Sequence, residues 1–198
     1  MNLRDKQCLV QPLPFKSAVP IYSMDTETLR GMIRELPDWP KKGVSFKDIT
    51  TLLRDPVAFK FAVSEMANRF RDKKIDAVVC AEARGFIIGA ALAYELGVAF
   101  VPVRKKGKLP YETISASYSK EYGEDSLHMH KDGILKGEEV LLVDDLLATG
   151  GTMKASIDLV RQLSGKVAGI CFLIELGYLN GREQFEGYDI FSLIRYDA

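Results

Sequence analysis

The sequence has little that would point to a disulfide scaffold, a structural zinc site or a membrane protein. Three cysteines occur among 198 residues, and Cys8, Cys80 and Cys171 lie far apart with no CxxC or Cys/His spacing. No apolar run approaches the roughly 18 residues that a membrane span requires. The N-terminus lacks the positive head and apolar middle of a signal peptide. We therefore expect a cytoplasmic protein with no membrane partner.

The sequence also lacks an excess of charge of either sign. Its 27 basic residues balance 27 acidic ones, so the formal net charge is +0. A neutral chain has no overall field to attract nucleic acid, and we expect no nucleic-acid partner. Any anion must therefore bind at a local site.

The hydrophobic pattern divides the chain into an extension and one domain. Residues 1–23 contain Pro12, Pro14 and Pro20 and have no sustained hydrophobic period, which predicts an N-terminal extension. The whole chain is 47% hydrophobic. The remaining residues, 24–198, have a length that suits a single compact domain.

Within that domain, helical spacing alternates with short apolar runs. Capping residues and proline mark the helix boundaries: Asp25 and Pro37 bound the first helix, and Asp55-Pro56 begins the second. Predicted helices cover 25–36, 55–73, 85–96 and 152–163, and predicted strands cover 75–81, 98–103, 139–144, 167–174 and 190–194. The alternation predicts an α/β fold with a mainly parallel sheet covered by helices on both faces.

One long segment shows no such pattern. Between Arg104 and Lys131 the chain is polar and rich in Tyr, Ser, Gly and Lys, with no core periodicity until Leu127–His130. A long loop inside a compact domain is typical of a lid or a binding element, and we predict a lid loop over about 104–126.

The most informative segment is VLLVDDLLATGGT at Val140–Thr152. Its apolar residues predict a strand with Asp144 and Asp145 at the carboxyl end, followed by Ala148–Thr152, which we call the phosphate loop. Ligands of open α/β sheets bind at that edge. The glycines let backbone amides approach an anion, and the threonine hydroxyls add donors, which suits a phosphate. Adjacent carboxylates suit ribose hydroxyls and a hydrated Mg²⁺, so the segment predicts a sugar-phosphate site.

Other interpretations of these residues explain less. A helix cap and a tight turn would account for an isolated DD or TGGT, but not for the thirteen-residue combination. A magnesium-binding receiver-type module would leave the TGGT turn unexplained, and no GxxxxGK[ST] or GxGxxG is present. His128 and His130 would share a face of a strand, but no third metal ligand stands nearby.

Val140–Thr152 resembles the signature of the type I phosphoribosyltransferases, which use phosphoribosyl pyrophosphate. Further segments occur in that family's order and are similar to its adenine-using branch: LPDWPKKGVSFKDIT at Leu36–Thr50, EARGF at Glu82–Phe86, RKKGKLP at Arg104–Pro110 and SYSKEYG at Ser117–Gly123. The resemblance implies the type I phosphoribosyltransferase fold, a mainly parallel central sheet flanked by helices with a small hood and a flexible lid loop. It also implies a homodimer.

The resemblance further implies a reaction: phosphoribosyl transfer from phosphoribosyl pyrophosphate to adenine, giving AMP and pyrophosphate in purine salvage with Mg²⁺. Glu121 would be catalytic and assist proton movement at the base. The backbone near Ser45 and the ring of Phe46 would bind adenine, and Asp144 and Asp145 would bind ribose and the metal, directly or through water. The implied 5′-phosphate residues are Ala148, Thr149, Gly150, Gly151 and Thr152, and the implied pyrophosphate residues are Ala83, Arg84, Gly85, Arg104, Lys105 and Lys108.

Three positions depart from the family's usual residues. Ser45 stands where valine is frequent, Ala83 where serine is frequent, and Lys47 where arginine is frequent. The changes at 45 and 47 bear on the choice of base, so a phosphoribosyltransferase for another base stays an alternative. A non-catalytic regulator that senses phosphoribosyl pyrophosphate is a separate alternative.

Overall fold

A seven-stranded sheet forms the centre of the protein. The computed structural model describes residues 24–119 and 124–197; the predicted extension 1–23 and Glu121 lie outside the described residues. The sheet has the order β5-β6-β4-β3-β7-β8-β9. Its strands are β3 (Ala77–Ala81), β4 (Ala99–Lys105), β5 (Thr113–Ser119), β6 (Glu124–His130), β7 (Glu139–Leu147), β8 (Lys166–Leu176) and β9 (Ile190–Tyr196).

Five of these strands run parallel, as their continuous apolar sequences predict. β4, β3, β7, β8 and β9 pair in parallel, and every residue of β3 is buried. Such strands lie between layers of helices. The predicted α/β architecture is confirmed.

Helices cover both faces of the sheet. One face packs against α1 (Thr26–Gly31), α2 (Thr50–Arg54), α3 (Pro56–Phe70) and α4 (Gly85–Leu96), and the other packs against α5 (Gly151–Gln162). Asp55 caps α3 by accepting from the amides of Val57 at 2.9 Å and Ala58 at 3.0 Å. These helices hold the two apolar cores on either side of β3 and β7.

The first predicted helix is shorter than expected. α1 ends at Gly31, a residue of low helix propensity, and the predicted range to Leu36 includes a strand instead. β1 (Arg34–Leu36) pairs antiparallel with β2 (Phe46–Asp48), with Glu35 opposite Lys47. This pairing takes the backbone hydrogen bonds that a longer helix would have used.

The segment predicted as a loop over 104–126 contains regular structure. β5 and β6 pair antiparallel along seven residues each, and β6 pairs with the end of β4, where Arg104 lies opposite His128. Ala116, Leu127 and Met129 are buried against the face of the sheet that α5 covers. The expectation of irregular chain was therefore wrong over these strands, while the lid role stays a prediction.

β7 also extends beyond its predicted end at Asp144. It continues to Leu147 because β8 keeps pairing with it, with Leu146 opposite Ile174. On its other side, β3 pairs with β7 only as far as Val143. The acidic pair therefore lies inside β7 but beyond the carboxyl end of β3, where the sheet opens.

Candidate active site

A cavity of about 1070 Å³ opens at the carboxyl end of β3 and β7. Most of the residues that the sequence singled out line it, although they come from three separate parts of the chain. Those residues are Ser45, Phe46, Ala83, Arg84, Asp144, Asp145, Ala148, Thr149, Gly150, Gly151 and Thr152. The structure thus brings the acidic pair, the phosphate loop and the aromatic ring of β2 to one site.

The phosphate loop has a backbone that requires glycine. Gly150 has φ +91°, and a Cβ there would lie 2.8 Å from Cζ of Phe185. Position 150 therefore excludes a side chain both by conformation and by space. α5 begins directly afterwards, and the first amides of a helix have no intrahelical acceptor. With the partial positive charge of the helix end, these donors could hold an anion at the cavity wall.

Asp145 is buried and Asp144 is half-buried, and their two carboxylates repel each other. Burial raises the pKa of Asp144 well above its ordinary value, and the neighbouring charge of Asp145 raises it further. Burial also raises the pKa of Asp145, although the Arg84 guanidinium opposes this. Asp144 Oδ1 accepts a hydrogen bond of 2.9 Å from the Asp145 amide, which fixes the first carboxylate. Protons, hydroxyl donors or a cation would each offset the negative charge of the pair.

Arg84 links the acidic pair to the aromatic ring. Its Nη2 lies 2.8 Å from Asp145 Oδ2, yet among the described residues that buried oxygen accepts no hydrogen bond. The contact is an ion pair without hydrogen-bond alignment, and the oxygen keeps capacity for a ligand. The guanidinium carbon also lies 4.9 Å from the centroid of the Phe46 ring, and Trp39 contacts that ring edge-on with centroids 4.3 Å apart. Phe46 is thereby held at the cavity wall.

Gly85 belongs to the site without lining the cavity. A Cβ at Gly85 would lie 2.6 Å from Asp144 Oδ1 and 2.9 Å from Cys80 Sγ. The absence of a side chain lets the start of α4 pack directly on the acidic pair. Earlier in the segment that joins β3 to α4, the peptide bond between Glu82 and Ala83 is cis.

The three basic residues at the end of β4 lie outside the cavity wall. Arg104 donates to Glu82 Oε2 from Nε at 3.0 Å and Nη2 at 2.9 Å, and its Nη1 donates to the Lys108 carbonyl at 3.2 Å. The Lys105 amide donates to Glu82 Oε1 at 2.7 Å. Burial works to raise the pKa of Glu82, but these partners hold it below its ordinary value. Arg104 and the Lys105 amide therefore hold Glu82 in its ionised form, and Glu82 itself lines the cavity.

Sequence reasoning missed several lining residues. Residues 41–44 precede Phe46, Tyr118 comes from β5, and Tyr178 and Leu179 follow β8. Tyr178 and Leu179 are 42% and 40% exposed, and they follow a buried strand at its carboxyl end. Exposed apolar residues at that edge are a signal that could have identified them. Tyr118 alternates with Ile114 and Ala116, a period of two that predicts a strand.

The structure gives no support for a histidine metal site. His128 lies 3.2 Å from Thr113 Oγ1 through Nδ1 and 3.2 Å from Ser126 Oγ through Nε2. Over 24–119 and 124–197, no three His, Cys, Asp or Glu side chains are grouped so as to hold a metal ion. Within the same ranges, no helix is long and apolar enough to span a membrane.

The class of protein follows from the fold, the site and a family match. Residues 50–197 match the family described as the phosphoribosyl transferase domain, a range that includes every strand of the central sheet. The chain belongs to the phosphoribosyltransferase family.

Curated relatives specify the branch of that family. An adenine phosphoribosyltransferase from Thermoanaerobacter sp. strain X514 is 55% identical over 173 residues, covering 87% of this chain and 100% of the relative. One from Clostridium kluyveri is 57% identical over 169 residues, covering 85% of this chain and 98% of the relative. Within the family, this chain groups with the adenine phosphoribosyltransferases.

Solved structures agree with this grouping. The crystal structure of adenine phosphoribosyltransferase from Thermoanaerobacter pseudethanolicus has a TM-score of 0.84 and 55% identity, covering 86% of this chain and 99% of that one. The enzyme from Saccharomyces cerevisiae, complexed with D-2,5-dideoxy-2,5-imino-altritol 1,6-bisphosphate and adenine, has a TM-score of 0.80 and 38% identity, covering 85% and 97%. The predicted type I phosphoribosyltransferase fold is confirmed.

Proposed function

We propose that this protein transfers the phosphoribosyl group of phosphoribosyl pyrophosphate to adenine, forming AMP and pyrophosphate in purine salvage. The observation on which the proposal depends is the single cavity that holds the phosphate loop, the acidic pair and Phe46 together. The yeast relative is complexed with an imino-sugar bisphosphate and adenine, which are ligands of the same chemistry. Its 38% identity over 85% of this chain supports the assignment.

In this reaction, adenine N9 forms a bond to the anomeric carbon as the bond from that carbon to the pyrophosphate oxygen breaks. The bonding electrons leave with pyrophosphate, and adenine loses its N9 proton. Positive charge develops on the sugar, so the work of the protein is to position the reactants and to stabilise the departing charge.

The phosphate loop would bind the 5′-phosphate. The amides that open α5 and the hydroxyls of Thr149 and Thr152 provide donors at the wall of the cavity. Asp144 and Asp145 would accept hydrogen bonds from the ribose hydroxyls. These contacts fix both ends of the sugar, which holds the anomeric carbon in place while the base approaches.

The acidic pair also fits Mg²⁺. This ion takes oxygen ligands and usually shares them between one or two carboxylates, substrate phosphates and water. Two adjacent carboxylates with raised pKa values, one with an oxygen that accepts no hydrogen bond from the described residues, match such a shared site. When bound, the ion would offset the negative charge of pyrophosphate.

The pyrophosphate would lie beside Ala83, Arg84 and Gly85, at the start of α4. Arg84 faces the cavity and is 2.8 Å from Asp145, so it is placed between the ribose end and the base. Arg104, Lys105 and Lys108 would contribute positive charge from the rim, next to Glu82, which Arg104 and the Lys105 amide hold. Their charge favours the departure of an anion.

The base would stack on Phe46, with the backbone near Ser45 offering hydrogen bonds to the purine edge. The substitution at position 47 does not disturb this wall. The Lys47 ammonium lies 2.7 Å from Glu35 Oε2, 3.3 Å from Ser45 Oγ and 4.2 Å from the centroid of the Tyr196 ring. Lys47 is thus held by the hairpin and the last strand, and the Phe46 wall stays in place.

Glu121 would assist the proton transfer at the base, as the resemblance implies. It lies between β5 and β6, outside the described residues. β5 reaches the cavity wall through Tyr118, so closure of the segment that follows β5 would bring a carboxylate towards the reacting centre and exclude water.

A second copy of this chain would cover the apolar stripe of α4. Ile87, Ala90, Ala91 and Tyr94 follow helical spacing along its outer face, and Ile87 and Tyr94 are 45% and 88% exposed. A stripe of this kind is typical of an interface between subunits. We infer a homodimer that works in the cytoplasm.

Turnover with a panel of bases tests the proposal. The protein is incubated with phosphoribosyl pyrophosphate, Mg²⁺ and one base at a time, and nucleotide and pyrophosphate are measured. We expect AMP from adenine and far slower product formation from hypoxanthine, xanthine or orotate. Faster turnover of another base would reassign the substrate. Binding of phosphoribosyl pyrophosphate without turnover of any base would support a sensing regulator instead.

A further inference from the structure

Gln184 contacts the phosphate loop from behind. Its side-chain Nε2 donates to the carbonyl oxygen of Thr149, 35 residues away in sequence. Gln184 does not line the cavity; it belongs to the 3-10 turn Gly181–Phe185 that follows β8. No part of the reaction described above uses it.

This hydrogen bond fixes the direction of one peptide plane. The bond between Thr149 and Gly150 is trans, and in a trans peptide the carbonyl and the following N–H point in opposite directions. With the Thr149 carbonyl directed to Gln184, the Gly150 N–H is directed away from Gln184. Thr149 and Gly150 line the cavity and Gln184 does not, so the direction away from Gln184 corresponds to the cavity. The reverse orientation would place a carbonyl oxygen against an anion, where like charges repel.

The rest of the same turn supports the loop sterically. Phe185 lies under Gly150, where a Cβ would be 2.8 Å from its ring, and Gly181 lies under Ala148, where a Cβ would be 2.0 Å from the carbonyl oxygen. These contacts determine where the loop is, but packing alone does not choose between the two orientations of the peptide. The hydrogen bond from Gln184 Nε2 to the Thr149 carbonyl adds stability to the orientation that the structure shows.

We infer that Gln184 is a positioning residue for 5′-phosphate binding: it holds the Thr149 carbonyl away from the cavity so that the Gly150 amide faces the phosphate. The inference rests on the proposed function, since it assumes that the loop receives the 5′-phosphate of the sugar.

Replacement of Gln184 by methionine tests the inference, because methionine has a similar length and no donor. Ribose 5-phosphate and adenine are titrated separately into wild type and variant by calorimetry, and the KM for phosphoribosyl pyrophosphate is measured beside kcat. The matched control is Glu183→Met, an exposed position on the same turn.

Loss of one neutral hydrogen bond predicts that Gln184→Met weakens ribose 5-phosphate binding about fivefold and raises the KM for the donor by a similar factor. Adenine affinity and kcat should stay at wild-type values, as should every property of Glu183→Met. Unchanged ribose 5-phosphate affinity would overturn the inference. Equal losses for ribose 5-phosphate and adenine, or the same losses in Glu183→Met, would also overturn it.

These measurements separate the inference from the proposed function. Ribose 5-phosphate binding reports on the loop whatever the base, whereas AMP formation by the wild type reports on the reaction. If the wild type binds ribose 5-phosphate but makes no AMP, the proposed function is wrong. The comparison with Gln184→Met would still test the role of Gln184. A wild type that makes AMP but does not bind ribose 5-phosphate would overturn the inference and leave the proposed function standing.

Discussion

At Asp144, the stability of the protein and its function favour different side chains. Burial and the neighbouring Asp145 raise the pKa of this carboxyl, so its ionised form opposes folding. A ligand that donates hydroxyls or shares a cation gains from the same negative charge. Residues that bind or react often have this conflict, and it distinguishes Asp144 from the ion pairs elsewhere in the sheet.

Asp144→Asn should therefore stabilise the ligand-free protein. Asparagine keeps the acceptor for the Asp145 amide and removes the charge, and about 1 kcal/mol gained would raise Tm by about 2–4 °C at pH 7.5. Because the folded pKa is raised, the carboxyl is stabilising below its unfolded pKa of about 4 and becomes destabilising as pH rises through the folded value. Calorimetric scans from pH 4 to 8 should show a difference in Tm that grows with pH. A difference that is constant across this range, or of opposite sign, would contradict the assigned pKa direction.

The double variant Asp144→Asn with Asp145→Asn should lose donor binding. Without these charges, the ribose hydroxyls lose charge-assisted hydrogen bonds and the shared Mg²⁺ loses its carboxylate ligands, so phosphoribosyl pyrophosphate should bind at least about tenfold more weakly. Titration calorimetry in the presence of Mg²⁺ measures this directly. Wild-type affinity would remove the acidic pair from the binding site.

Glu121→Gln should separate chemistry from binding. If Glu121 assists proton transfer, kcat should fall by roughly 10² to 10⁴ while the affinity for phosphoribosyl pyrophosphate stays near that of the wild type. Steady-state kinetics with a parallel calorimetric titration provides both values. Unchanged turnover would exclude Glu121 from catalysis.

Among elements, those with a strong local signal were predicted from the sequence. Asp55-Pro56 identified the start of α3, and the apolar runs identified β3, β7 and β8. The β1–β2 hairpin was missed because strands of three residues are too short to show a period. Its position depends on pairing and on the contact of Lys47 with Tyr196, which are distant in sequence.

In the candidate site too, residues with a local sequence pattern could be predicted, and residues brought together by distant contacts could not. Asp144, Asp145 and the phosphate loop are contiguous, so their chemistry could be predicted from spacing alone. The Phe46 wall became a prediction only through the family resemblance, since an isolated phenylalanine is usually core. The support from Gly181, Gln184 and Phe185 could not be predicted, because a turn that packs behind a loop 35 residues away has no local pattern.

The phosphate loop as an element should not tolerate Gly150→Ala. The left-handed backbone costs a non-glycine residue about 1–2 kcal/mol, and the clash with Phe185 adds to it. Gly137→Ala is the matched control, because its φ of +86° is similar but open space surrounds it. Thermal unfolding should show a larger loss of Tm for Gly150→Ala, with weaker ribose 5-phosphate binding in that variant alone. Equal effects of the two changes would contradict the role given to position 150.

For the whole molecule, the exposed stripe of α4 predicts assembly. Ile87→Glu with Tyr94→Glu should place charges on the inferred subunit interface and convert a dimer into a monomer. Leu135→Glu is the control, since Leu135 is 67% exposed and lies away from α4. Analytical ultracentrifugation should give twice the 22.1 kDa chain mass for wild type and control, and the single-chain mass for the double variant. A monomeric wild type would contradict the homodimer.

The central claim is that one cavity at the open edge of the sheet holds base, ribose and phosphate in a defined order. A crystal structure of the protein with AMP tests it most directly. We expect the phosphate on the amides of Gly150–Thr152, the ribose hydroxyls on Asp144 and Asp145, and the adenine ring against Phe46. AMP bound elsewhere, or bound in this cavity with its phosphate away from that loop, would contradict the account.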